Sequence, residues 1–123
     1  MAGEAADVLA LIIRSGPYQN RAARADIDLA LAAATMDFEL HVYFYGAAIL
    51  QLARERDPAG ALLPAGLRAW AALPELADAT FYCEQAWLDF CQREQIGLVV
   101  PVNGMNPDDV GEDWRRHRHV MVI

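Results

Sequence analysis

The hydrophobic pattern of the chain changes period several times, and each change marks an element. Val8-Leu9-Ala10-Leu11-Ile12-Ile13 is an unbroken apolar run closed by Ser15, Gly16 and Pro17. A run that short, with no polar alternation, reads as the central and fully buried strand of a parallel sheet. From Asn20 to Met36 the period becomes helical: Ala22, Ala23, Ile27, Ala30, Leu31 and Ala34 form one stripe, leaving Arg21, Arg24, Asp26 and Asp28 for the more exposed side. Leu40 to Tyr45 is a second strand, rich in aromatic and branched residues and closed by Gly46, and a short helix follows from Ala47 to Arg54.

The stretch 55–66 carries Pro58, Gly60, Pro64 and Gly66 and reads as a surface excursion too short to separate two domains. A short helix from Leu67 to Leu73 should stop before Pro74. The third strand, Ala79 to Tyr82, hands over at Cys83 to an amphipathic helix from Glu84 to Ile96, with Trp87, Leu88, Cys91 and Gln95 near one face and Gly97 as the C-cap. After the apolar run Leu98 to Val102 come a loop around Asn103-Gly104, a helix from Pro107 to Arg116 and a closing strand from His119 to Ile123. No internal repeat is visible.

Strands alternating with helices at this spacing predict a single α/β domain over residues 1–123, a three-layer sandwich with a mostly parallel sheet and helices on both faces. In such sheets the functional loops follow the carboxyl ends of the strands. Three of those loops would border one crevice, lined by Ser15, Gly16, Pro17 and Tyr18 after the first strand, Gly46 after the second, and Cys83 with Glu84 after the third.

Composition narrows the chemistry. The chain has 123 residues and is 55% hydrophobic, enough for one proper core. No apolar run approaches the roughly 20 residues of a bilayer span, and Met1 to Asp7 lacks the basic region of a secretory leader. A cytoplasmic location is therefore expected. The net charge of −7 argues against direct nucleic-acid binding. The short basic run Arg115 to His119 reads instead as a helix end complementing its dipole. All ten cationic residues are arginines, so Schiff-base lysines and P-loop lysines are excluded by composition.

Cys83 is the leading candidate for chemistry. A thiol between a strand end and a helix start faces the positive end of a helix dipole, which favours the thiolate. Against this, a cysteine is by default a small buried hydrophobe, and Glu84 beside it disfavours ionisation. Cys91, within the following helix, reads as a structural thiol, and Cys83 is expected to be the more reactive of the two. His41 is expected at the surface. His117 and His119 lack a third ligand nearby in sequence, so no metal site is expected. Asp108 and Asp109 suit a helix N-terminus. Ser15-Gly16 could hold an anion, but no glycine-rich dinucleotide pattern is present, and no cofactor is expected.

Four segments, in order, resemble the DsrE/DsrF-like family, which includes the TusB, TusC and TusD subunits of the sulfur relay that serves tRNA thiolation. They are the opening strand with SGPYQNRAARADIDLALAAA, then ELHVYFYGAAILQL, then the strand ending at Cys83 with its helix ending in REQIGL, and finally HRHVMVI. Together they cover nearly the whole chain, and the overall pattern is most similar to the TusC/DsrF branch. The helix after Cys83 is longer than the family usually shows, and the loop from Asn103 to Glu112 is individual.

The resemblance implies an oligomer of sister subunits or of the chain itself, working with sulfur donor and acceptor proteins. In the DsrE/TusD branch a cysteine near this strand end accepts sulfur as a persulfide, and Cys83 matches its position approximately. The TusC/DsrF branch is a companion subunit without an established thiol role. The leading reading is thus a sulfur-relay subunit that either carries persulfide on Cys83 or supports a sister that does. The alternatives are a non-catalytic interaction subunit and a small-ligand-binding module using the Ser15 to Asn20 loop.

Overall fold

The computed structural model describes residues 7–14, 21–54 and 67–122. Five strands form one sheet: β1 (Val8–Ile13), β2 (Glu39–Phe44), β3 (Ala79–Glu84), β4 (Asn103–Met105) and β5 (His119–Val122). Their order is β4-β3-β2-β1-β5, and every pairing is parallel. The helices α1 (Arg21–Ala34), α2 (Leu73–Leu76), α3 (Gln85–Arg93) and α4 (Pro107–Arg115) alternate with them, together with 3-10 helices at Gly46–Leu52 and Leu67–Ala72. The expected α/β sandwich with a parallel sheet is what forms. β1 is interior as predicted, but β2 takes the middle place because β5 returns to pair outside β1.

Strand alternation sends successive side chains to opposite faces. On one face Leu9, Leu11, Ile13, Leu40, Val42, Phe44, Phe81 and Cys83 pack with Ile27, Ala30 and Ala34 of α1, Cys91 of α3, and Trp70 and Leu73. The small residues of α1 let that helix lie close on the sheet. On the other face Ala10, Ile12 and Tyr43 meet Val110, with Tyr45, Tyr82, Met105 and Trp114 around them. Among the described helices α4 alone covers this second face.

Several boundaries differ from expectation, each for a local reason. Asn103–Met105, predicted as a loop, instead forms a strand that pairs with Tyr82, Cys83 and Glu84 of β3. Pro74 does not end a helix but sits in the first turn of α2, where its missing N–H costs nothing. The helix after Cys83 ends earlier than Ile96. Gln95 adopts φ 57, its N–H reaches Gln92 O at 3.2 Å and that of Ile96 reaches Cys91 O at 2.8 Å, a Schellman closure with glutamine in the usual glycine place. Gly97 is therefore not the cap. Asp26, assigned to the exposed side of α1, is fully buried: it accepts from Gln51 Nε2 at 3.0 Å, and Gln51 Oε1 accepts from Trp70 Nε1 at 3.1 Å. No helix among the described residues is long and apolar enough to cross a membrane.

Candidate functional site

The carboxyl ends of β2 and β3 bring part of the predicted crevice together. β2 ends at Phe44, opposite Cys83 in the register. Two residues on, Gly46 takes φ 55, a left-handed conformation that glycine adopts without a Cβ penalty, and starts the 3-10 helix. Its N–H donates to Glu84 Oε1 at 3.1 Å. Glu84 thus ties the end of β3 to the turn after β2. Ser15, Gly16, Pro17 and Tyr18, the other expected lining residues, lie outside the described residues.

Cys83 faces the dry side of the sheet and has no exposed surface. Burial pushes its thiol up to about 11, with Cys91 and Glu84 adding to the rise. Opposing them is a backbone hydrogen bond from Leu88, in the opening turns of α3. The help expected from the helix start is therefore outweighed by desolvation, and in this conformation Cys83 is a buried thiol with its ionisation disfavoured. Cys91 is also buried and free, and burial raises its thiol too. Neither side chain is presented to a partner in this conformation.

The opposite face carries a polar cluster that the sequence reading missed. His41, placed at the surface by that reading, has a side chain only 16% exposed and its Nε2 lies 2.8 Å from Glu39 Oε2. Its ring lies 4.7 Å from that of His117, edge to face, and 5.6 Å from that of Tyr82. Tyr43 stacks on Tyr82 with centroids 4.7 Å apart; its hydroxyl donates to Asp113 Oδ2 and lies 3.2 Å from His117 Nε2. Arg116 donates to the other carboxylate oxygen of Asp113.

One ligand atom each from His41, Asp113 and His117 lies within 4.8 Å of the others. The neighbours that His117 lacked in sequence come from β2 and α4 and not from His119, which turns to Asp7 at 3.7 Å and to the ring of Phe38. Spacing of 76 residues between His41 and His117 (117 − 41) hides this meeting from any local motif search.

The electrostatics of the cluster follow from its half-burial. Burial works against ionising Asp113, but hydrogen bonds from Tyr43 and Arg116 and the guanidinium charge outweigh it and hold the carboxyl below the usual range. His117 is pushed below the usual imidazole range, first by burial and then by His41, against the pull of Asp113. Tyr43 is held firmly protonated by burial and by its bond to Asp113. At neutral pH the group therefore consists of a carboxylate, a neutral imidazole at His117 and a neutral phenol.

Comparison with known proteins agrees with this architecture. No curated protein matches the chain. Among solved structures, the crystal structure of the YchN protein from E. coli superposes with a TM-score of 0.72 over 95% of this chain and 99% of that one, at 11% identity, a likeness of fold. The sequence matches the model of one family over residues 7–112, and on that match the chain belongs to the DsrE/DsrF-like family.

Proposed function

We propose that the chain is a subunit of an intracellular sulfur-relay assembly and acts there as a supporting member, with Cys83 as a packing residue. Family membership supports a sulfur-relay-related role. The observation that carries the choice between carrier and companion is the complete burial of Cys83. Persulfide transfer requires a thiolate that can attack the terminal sulfur of an incoming persulfide. With burial pushing the thiol up to about 11 and no exposed surface, Cys83 is held as the unreactive thiol at pH 7 and is out of reach without local opening.

The assembling role draws support from the sheet edge. β5 is an edge strand in which Val120, Met121 and Val122 are 38%, 39% and 52% exposed. An exposed apolar edge of this kind is a liability for a chain that stays alone and is suited to one that pairs with a sister subunit or with itself.

Intact-mass measurement after incubation with a persulfide donor tests the reading. The native chain is expected to gain no sulfur, while an assembly containing Cys83→Ala relays sulfur at the wild-type rate. A gain of about 32 Da, the mass of one sulfur atom, on native wild type that disappears in Cys83→Ala would establish the carrier mechanism instead.

A further inference from the structure

We propose that His41, His117 and Asp113 form a binding site for one divalent transition-metal cation, zinc by first choice, on the sheet face opposite Cys83. Two imidazoles and a carboxylate match the donor sets that bind zinc and related first-row ions. The donors come from two elements, His41 from β2 and the other two from the end of α4 and the turn behind it, and already stand within 4.8 Å of one another. Around a zinc ion with bonds of about 2.1 Å, tetrahedral donors stand roughly 3.4 Å apart, so closure needs only side-chain adjustment.

His41 provides a second, independent observation. Its Nδ1 is buried and has no hydrogen-bond partner, whereas its Nε2 is engaged by Glu39. A carboxylate on one ring nitrogen fixes the proton there and leaves the other with a free lone pair, the arrangement that orients histidine ligands towards metals. An unpartnered buried acceptor is costly in a folded protein, and a cation would remove that cost. Glu39 accordingly acts as a positioning residue.

The remaining contacts are compatible with ion entry. One oxygen of Asp113 is held by Arg116, whose side chain is 70% exposed and free to turn into solvent. The other oxygen bonds to Tyr43, whose hydroxyl already sits between Asp113 and His117 and can remain as an outer partner. Three protein donors leave a coordination position open to a fourth ligand from outside, as in zinc sites that bind water or an exogenous group.

Titration of the tag-free, chelator-treated full chain with Zn²⁺ by calorimetry, and with Co²⁺ by absorption, tests the assignment. One ion per chain is expected, with a ligand-field spectrum of Co²⁺ bound to nitrogen and oxygen donors. His117→Ala and His41→Ala should each weaken binding by at least about a hundredfold, and Glu39→Gln by about tenfold, the size of outer-partner effects on metal sites. Should the alanine variants fail to fold, the wild type still decides the matter. The chain has three histidines, and in NMR spectra of the native protein Co²⁺ should shift His41 and His117 while His119 serves as the internal control. Absence of saturable binding, or binding that shifts His119 alone or survives loss of His41 and His117, would overturn the site.

Discussion

The two faces of the sheet are built from the same strands and have opposite characters. Val42 and Phe44 project from β2 into a core closed by α1, α3 and Trp70, while Tyr43, fully buried, and His41, 16% exposed, project towards the layer covered by α4. On the first face the strand side chains are apolar and buried, so a thiol placed there is raised and hidden. On the second, hydrogen bonds from Tyr43 and Arg116 and the guanidinium charge outweigh burial and hold the Asp113 carboxyl below its usual range beside imidazole and phenol groups. One residue of register separates Tyr82 from Cys83, and that single step moves a side chain from the layer that supports polar chemistry to the layer that suppresses it.

The strongest way to break the contrast is to put charge on the dry face. Leu11 has no exposed surface, and Leu11→Asp should abolish folding, because an unpaired buried carboxylate costs several kcal/mol against a total stability of roughly 5–15 kcal/mol. A cooperative thermal transition in that variant would refute the burial of β1 on this side.

A gentler probe of the same face is the thiol itself. Cys83→Ser buries a hydroxyl in place of sulfur and should cost about 1–3 kcal/mol in denaturant unfolding. Cys83→Ala should cost less. Because both thiols are buried, iodoacetamide should modify neither at an appreciable rate until the chain opens, with labelling tracking denaturant concentration. Fast labelling of Cys83 in native conditions would instead restore the activated-thiol expectation.

On the wetter face, Tyr43→Phe keeps the stacked ring and removes the hydroxyl that bridges Asp113 and His117. A loss of about 1.5–3 kcal/mol is expected, the usual range for a hydrogen bond to a charged group. An unchanged melting curve would mean that the cluster contributes nothing to holding α4 on the sheet.

The smallest effect concerns Asp26, the polar group stranded on the dry side. Burial raises its carboxyl above the ordinary value, and the hydrogen bond from Gln51 only partly offsets this. The folded chain therefore holds a proton that the unfolded chain has already released. Its contribution to stability is fully present below the unfolded value of 3.8 and is lost as pH rises through the elevated folded value. Asp26→Asn, which cannot titrate, should gain on wild type as pH rises through that window, read as the difference between their melting temperatures. A difference independent of pH would show that Asp26 is not desolvated.

Much of the architecture was legible in residue periodicity. The apolar run of β1, the alanine-rich stripe of α1, the aromatic β2 and the acidic start of α4 each specify an element from local pattern, and their order implies a parallel sheet. Elements set by pairing were not legible. β4 has the sequence Asn-Gly-Met, which favours a turn, and becomes a strand because β3 offers it a free edge. The end of α3 follows a hydrogen-bond closure at Gln95 and not the nearby glycine.

The sequence by itself determined that the strands have two faces, that Cys83 stands near a strand's carboxyl end, and that His41 and Tyr43 alternate with Val42 and Phe44. Alternation is a local property of extended backbone, so it survives without knowledge of the fold. Only the tertiary structure decided which face would be sealed and which left half open. That choice depends on where α1, α3 and α4 dock, and docking brings His41 to His117 and Asp26 to Gln51 and Trp70 across separations that no local pattern encodes. The same burial that stabilises the first face takes Cys83 out of reach, and the incomplete cover of the second leaves its histidines and carboxylate open to an ion.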